Sequence, residues 1–124
     1  MQVFGDYDTV EKIAESSSNT VFRAYKGDVQ YIIKGLASNV SPLFGNQRLR
    51  KEYDICQKMY QKSQEYFLEP VELYQGGNPG IVWEDKGLVS LKSYLVSTTI
   101  SIKLFLKIAK QMLKALHRLH GSGI

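Results

Sequence analysis

The sequence predicts an α+β fold: a five-stranded antiparallel sheet with one packed helix, followed by a long C-terminal amphipathic helix. Two observations predict it. Short runs rich in β-branched and aromatic residues, separated by tight turns, occupy the first third of the chain. Near the end of the chain, apolar residues recur at the spacing of one helix face. The order of three strands, a helix, two strands and a helical segment is typical of an α+β plan.

The first three strands are expected to form a meander. The pattern of residues 7–13 predicts the first strand, and the runs 21–25 and 29–36 predict the second and third. The polar run 15–19 and the tight turn 26–28 connect them. Because both connections are short, each strand is expected to pair with the next one along the chain.

A helix is expected over residues 47–62, after residues 42–46 break the strand pattern. At ~100° per residue, the apolar side chains of this helix fall on one stripe, and Glu52 lies inside the stripe. The apolar members are Leu49, Tyr53, Cys56, Met59 and Tyr60. An unpaired carboxylate on a buried face costs much free energy, so the sequence requires a cation that meets Glu52.

The second half of the chain supplies two more strands and two helical segments. Residues 67–75 and 80–83 are the strands, joined by a turn rich in glycine, and residues 91–96 form a short helical turn. Residues 101–120 form the long amphipathic helix, with Ser101 as its N-cap. Its apolar side comprises Ile102, Phe105, Ala109, Met112, Leu113, Leu116 and Leu119, and Gly121 and Gly123 end it.

Composition limits the possible partners. The chain has 124 residues, with 16 Lys and Arg against 12 Asp and Glu, a net charge of +4. The basic residues are dispersed, so we expect a solvated surface and neither a nucleic acid nor a membrane partner. The single cysteine, Cys56, cannot form an internal disulfide, and no secretory signal is visible, so we expect a cytoplasmic protein.

Lys34 is the candidate partner of Glu52. It shares a face of the third strand with Ile32 and Leu36, because side chains two residues apart point the same way. A Lys–Glu pair beneath a polar hairpin turn has a known chemical use: the turn covers a polyphosphate, the lysine contacts its oxygens and the glutamate holds the lysine. Taken alone, a strand lysine more often extends its amine to water.

Together these segments resemble the N-terminal lobe of a eukaryotic-type protein kinase domain. Residues 31–34 match the strand with the phosphate-contacting lysine, and residues 50–53 match the helix with the paired glutamate. Residues 81–87 match the fifth strand and the hinge, and residues 104–124 resemble the helix that precedes the catalytic loop. The resemblance implies that residues 1–87 form the small lobe with its hinge and that residues 88–124 begin the second lobe.

The resemblance also implies a role for each matching residue. Lys34 would contact the α- and β-phosphates of ATP, and Glu52 would orient it. Backbone groups of Glu84 and Lys86 would hydrogen-bond the adenine. Two further positions follow from the same match: Trp83 as gatekeeper and Val21 against the adenine face.

The predicted phosphate loop departs from the family pattern. Ala14, Ser16 and Asn19 stand where the family has glycines, which allow close approach to phosphate and positive φ. Asn19 tolerates positive φ best, and the hydroxyls of Ser16, Ser17 and Ser18 could contact phosphate. A plain hairpin turn is a nearly equal alternative. Ile32 replaces the small residue that usually lies over the adenine, so the pocket should be narrower.

Three hypotheses for function remain. The first is the nucleotide-binding lobe of a Ser/Thr kinase that uses Mg-ATP on a protein substrate. The second is a pseudokinase with a regulatory or interaction role, which the missing glycines and Ile32 favour. The third is a stand-alone α+β interaction domain.

The stretch 84–87 with 105–111 most resembles the kinase domain of large bacterial proteins that also carry an ATPase, a GAF domain and a sensor histidine kinase.

The resemblance implies that the catalytic base, the metal-binding residues and the activation segment would follow Ile124, so we expect this chain alone to be inactive. We also expect the apolar side of the last helix to fold back on the small lobe or to pair with a second copy.

His117 and His120 could ligate a metal, but no further ligand cluster accompanies them, and we expect a structural role at the helix end.

Overall fold

The structure is a computed structural model that describes residues 4–87, 91–97 and 99–124. These described residues form five strands and three helices in the predicted order. The elements are β1 (Asp8–Glu15), β2 (Asn19–Lys26), β3 (Val29–Leu36), α1 (Pro42–Lys62), β4 (Glu72–Tyr74), β5 (Gly80–Glu84), α2 (Leu91–Ser97) and α3 (Ile102–Gly121). The α+β class with a five-stranded antiparallel sheet is therefore confirmed.

The strands lie in the order β1-β2-β3-β5-β4, and every neighbouring pair is antiparallel. The meander of the first three strands is as predicted. The chain then passes through α1 to the far edge of the sheet, forms β4, and returns to place β5 next to β3. Although β5 is the last strand in sequence, it therefore pairs with a strand on each side, β3 and β4.

Side-chain alternation divides the sheet into two packed faces. On the face away from α1, Ile33 of β3 and Val82 of β5 are paired and fully buried. On the opposite face, Lys34 pairs with Ile81, and Ile81 packs with Leu49 of α1. The site residues on β3 and α1 thus share one side of the sheet.

The segment ahead of β1 covers the face away from α1. Phe4 is 0% exposed and packs its ring against Phe22 and Tyr74. Tyr7 is buried, and its hydroxyl donates a hydrogen bond to Glu72 Oε1 at 3.0 Å. Burial, and then the bond to Glu72, raise the pKa of Tyr7 well above its ordinary value. These contacts hold β4 at the edge of the sheet.

Two predicted boundaries are wrong. Residues 42–46 do not interrupt the chain before the helix, because α1 begins at Pro42. Proline suits a first helical turn, where its missing N–H leaves no hydrogen bond unmade. The fourth strand is three residues long rather than the predicted run 67–75, and residues 67–71 approach it as irregular chain.

The long helix α3 forms as predicted, with the Ser101 hydroxyl accepting the Leu104 amide at 3.1 Å. Most of its apolar side faces solvent: Ile102 is 80% exposed and Leu113 is 66% exposed, whereas Ala109 and Leu119 are half-buried. Its C-terminal end meets α1, where Lys58 Nζ donates to the Ser122 carbonyl at 3.0 Å. Most of the apolar side therefore does not fold back on the small lobe, and the other expectation, pairing with a second copy, stays a prediction.

Within the described ranges, no helix combines the length and the apolar content that spanning a membrane requires.

Gly45 tests the packing of α1 on the sheet. A Cβ at Gly45 would lie 2.3 Å from Leu36 Cδ1 and 3.0 Å from Leu36 Cγ, whereas a Cβ at Gly121 of α3 meets nothing within 4 Å. We expect Gly45→Ala to lower the free energy of unfolding by about 1–2 kcal/mol, because overpacking outweighs the better helix propensity of alanine. Urea denaturation with Gly121→Ala as the matched control measures this; an equal effect of both substitutions would contradict the packing.

Candidate functional site

An ion pair joins the sheet to α1. Lys34 Nζ lies 2.6 Å from Glu52 Oε1, and the side chains are 28% and 33% exposed. Lys34 stands near the end of β3, and Glu52 lies on the side of α1 that faces the sheet. The cation that the sequence requires for Glu52 is thus Lys34, and both groups keep an open side toward solvent.

Cys56 lies one helical turn after Glu52 and is half-buried. Burial raises the pKa of the Cys56 thiol, the Glu52 carboxylate raises it further, and Lys34 opposes the shift. The pKa of the only cysteine thiol in the chain therefore depends on both members of the ion pair.

The turn between β1 and β2 is closed by its own hydrogen bonds. The Ser16 hydroxyl accepts the amides of Asn19 at 3.1 Å and Ser18 at 3.4 Å, and the Ser16 amide donates to the Asn19 carbonyl at 2.9 Å. Ser17 is exposed at the tip. Among the described residues, positive φ occurs at glycines alone, so Asn19 does not use its tolerance for it. The backbone thus forms a compact serine turn, and three of its amides already have partners.

Arg48 ties this turn to α1, which the sequence analysis missed. Its Nη2 donates to the Ser18 carbonyl at 2.9 Å and to Asn19 Oδ1 at 2.8 Å. The Ser18 carbonyl also accepts the amide of Ala37 at 3.1 Å, just beyond β3. Arg48 precedes Glu52 by four residues, one helical turn, and this spacing was the available signal.

The strand register brings the other predicted residues onto the face that carries Lys34. Val21 of β2 pairs with Lys34 on one side and with Ala14 of β1 on the other. Ile32 pairs with Trp83 of β5, and both side chains are half-buried. Paired residues of antiparallel strands share a face, so these groups surround Lys34 on the side toward α1.

The chain after β5 is held by the carboxylate of Asp85. The Asp85 amide donates to the Gln30 carbonyl at 2.8 Å, and its side chain accepts Gln30 Nε2 and the Gly87 amide, the latter at 2.9 Å. The Gly87 bond lowers the pKa of Asp85. Glu84 and Lys86, on either side of Asp85, are exposed.

Arg23 adds a cation to the same face of the sheet. It pairs with Ile32 in the register, its Nη1 bonds Glu11, and its Nε lies 3.5 Å from Asp85 Oδ2. That Nε is buried and forms no hydrogen bond within the described part of the chain. Sequence reasoning missed Arg23 and Asp85, because nothing in the strand pattern shows that β2 and the segment after β5 approach each other.

The histidines of α3 lie close to its C-terminal end. Both His117 and His120 are exposed near the end of the helix. Across the ranges that the structure describes, no group of three or more His, Cys, Asp or Glu side chains could hold a metal ion.

This chain is similar to known proteins in its fold rather than in its sequence. No protein-family profile matches the sequence, and no curated protein matches it. Solved structures do match nearly the whole chain, among them the kinase domain of PknI from Mycobacterium tuberculosis and a cysteine-to-alanine mutant of the same domain. Each has a TM-score of 0.73 and 15% sequence identity, with 99% of this chain and 51% of that chain covered. The chain has the fold of a kinase small lobe.

The chain spans about half the length of the kinase domains that it matches. At 15% identity the similarity is one of fold. The predicted resemblance is confirmed at that level, while the roles of the individual site residues stay predictions.

The electrostatics of the Lys34–Glu52 pair can be tested at Cys56. Glu52→Gln removes the charge that raises the thiol pKa, so the midpoint of alkylation by iodoacetamide should move to lower pH. Lys34→Met removes the opposing cation, so the midpoint should move to higher pH. Asp54→Asn, on an exposed position of α1, is the matched control. Shifts of Glu52→Gln and Lys34→Met in the same direction would contradict the pairing.

Proposed function

We propose that the chain is the nucleotide-binding lobe of a Ser/Thr protein kinase domain whose complete form transfers the γ-phosphoryl group of Mg-ATP to a protein. The observation that carries the proposal is the Lys34–Glu52 ion pair, which links β3 to α1 in a kinase small-lobe fold. In this proposal residues 1–87 are the small lobe with its hinge, and residues 88–124 begin the second lobe.

Lys34 is proposed to hold the α- and β-phosphates. A lysine ammonium has three N–H donors, and Glu52 takes one at 2.6 Å, so donors remain for phosphate oxygens. Glu52 fixes the direction of the side chain, and the partial exposure of both groups lets an anionic ligand approach. A phosphate here meets a cation that is already positioned, which avoids the entropy cost of ordering it.

The adenine slot is proposed to lie between the sheet face and the hinge. Val21, Ile32 and Trp83 supply apolar surface, with Trp83 as gatekeeper. The Asp85 amide is directed to Gln30 of β3, so in an extended chain the carbonyl of Glu84 and the amide of Lys86 point the other way, where they could hydrogen-bond a base. Ile32, larger than the usual residue, narrows the slot.

The turn at residues 16–18 is proposed to cover the phosphates less tightly than a glycine-rich loop. The amides of Ser16, Ser18 and Asn19 are engaged within the turn. A phosphate therefore meets hydroxyl groups, above all that of the exposed Ser17, before it meets free amides. Ala14, opposite Val21, adds only a methyl group to the slot.

Magnesium is proposed to arrive with the nucleotide, where it would neutralise phosphate charge. The described residues offer no carboxylate cluster for it, so the fit to this chain is through the nucleotide alone. Its protein ligands are expected in the second half of a complete kinase domain.

A pseudokinase is the second candidate, and specific observations favour it. The serine turn keeps its own amides occupied, and Arg23 places a cation on the face where a purine would pack. Either feature would weaken nucleotide binding while leaving the fold available for protein contacts. A stand-alone interaction domain of the same fold is a third candidate.

A cytoplasmic location and a parent with ATPase, GAF and histidine kinase domains remain part of the proposal from sequence.

Lys34→Met tests the nucleotide site. In this chain we expect binding of a fluorescent ATP analogue with Mg²⁺ to weaken by about tenfold, because a charge-assisted hydrogen bond to phosphate is lost. In a longer protein with the complete kinase domain, we expect kcat/KM for phosphoryl transfer to fall by roughly a hundredfold or more.

Lys51→Met is the matched control, since Lys51 is exposed on the same helix and next to Glu52 in sequence. Binding and turnover unchanged by Lys34→Met would refute the proposed site. Nucleotide binding that depends on Lys34, without any phosphoryl transfer in the longer protein, would instead favour the pseudokinase.

The exposed apolar side of α3 is proposed to be covered by the rest of the kinase domain, or by a second copy when this chain is alone. We therefore expect self-association of the isolated chain in sedimentation velocity at high concentration, and Leu113→Lys should reduce it. Lys114→Ala, on the basic side of the same helix, should not. A monomer at every concentration, in all three proteins, would contradict pairing between copies.

A further inference from the structure

The helix that carries Glu52 is held to the sheet by few buried contacts. Of the 21 residues of α1, all of which the structure describes, Gly45, Leu49 and Met59 are buried. Leu43 and Phe44, near its beginning, are 67% and 71% exposed. Because apolar burial fixes so little of the helix, its polar ties to the sheet have a large share in setting its position.

Two polar ties lie one helical turn apart on the same side of α1. Glu52 bonds Lys34, and Arg48 bonds the turn between β1 and β2. A single nitrogen, Arg48 Nη2, bridges two oxygens of that turn, the Ser18 carbonyl and Asn19 Oδ1. Bonds from a guanidinium are charge-assisted, so they are stronger than those of a neutral donor.

The oxygens that Arg48 bridges are themselves fixed to the sheet. The Ser18 carbonyl also accepts the amide of Ala37, and Asn19 is the first residue of β2, paired with Leu36 at the end of β3. Arg48 therefore connects α1 to the one point where the turn, β2 and the end of β3 meet.

We infer that Arg48 is a positioning residue that couples the β1–β2 turn to the Lys34–Glu52 ion pair. A polyphosphate that contacts both the turn and Lys34 limits the movement of the turn relative to β3. The turn holds Arg48, and Arg48 keeps α1 where Glu52 reaches Lys34. The inference rests on the proposed nucleotide site for its ligand, but the mechanical link from the turn to α1 exists without it.

Cys56 reports on this link because it is the sole cysteine and lies one turn beyond Glu52 on α1. Without nucleotide, we expect Arg48→Ala to speed alkylation of Cys56 by roughly two- to fivefold, the effect of losing an exposed charged tie. Arg50→Ala, the matched control at an exposed position of the same helix, should leave the rate unchanged. The measurement is made well below the thermal midpoint of each variant.

Two further variants separate a specific tie from general loosening of the helix. Arg48→Lys keeps the charge but has a shorter side chain without the planar guanidinium, so it should restore part of the protection. Asn19→Ala should also speed alkylation, and its effect combined with Arg48→Ala should be smaller than the product of the two single effects. An unchanged rate in Arg48→Ala, equal acceleration by Arg50→Ala, or independent effects of Arg48 and Asn19 would overturn the link.

Saturating Mg-ATP tests the coupling itself. We expect nucleotide to slow alkylation in the wild-type chain and to slow it by a smaller factor in Arg48→Ala. Equal slowing in both proteins would overturn the coupling while leaving the nucleotide site intact. A wild-type chain that binds no ATP analogue in the separate titration would overturn the proposed function and, with it, the role of nucleotide in this coupling.

Discussion

The Lys34–Glu52 ion pair is the contact on which the arrangement of the site depends. It crosses from the third strand to a helix that buries only three of its residues, so it helps to decide where that helix lies. Because both side chains are about one-third exposed or less, the pair is neither a dry buried bridge nor a fully solvated one. Such a pair costs little desolvation, yet it presents an oriented cation to any anion that enters the open side.

Much of the architecture could be predicted from the sequence, for reasons visible in single residues. Glu52 on an apolar helix stripe required a cation, and Lys34 supplies it. Ser101 and the apolar spacing that follows defined α3. The start of α1 was missed because residues 42–46 look like a strand-to-helix break, although Pro42 is well suited to a first helical turn. Arg23 and Asp85 are distant in sequence and meet only through strand order, which no local pattern reports.

The serine turn shows how a hairpin can keep its shape without glycine. Ser16 folds the backbone by accepting amides with its hydroxyl, which replaces the left-handed conformations that glycine would otherwise provide. The same bonds occupy the groups that a glycine-rich loop would leave open. The hydrogen bonds that order this turn therefore leave fewer groups free to bind a ligand. Arg48 of α1 adds to the order by bonding the Ser18 carbonyl and the Asn19 side chain.

The position of β5 between β3 and β4 also shapes how the chain acquires its fold. The meander of β1 to β3 can form as soon as it is synthesised, but the outer edge of β3 stays unpaired until Gly80–Glu84 has been made. During that interval a β-rich edge with Ile32 and Ile33 is available to other chains. Pairing of β5 with β3 must bring together two strands that the 21-residue helix α1 and its flanking segments separate in sequence. The protection of that edge in a nascent chain therefore depends on slow, non-local strand pairing.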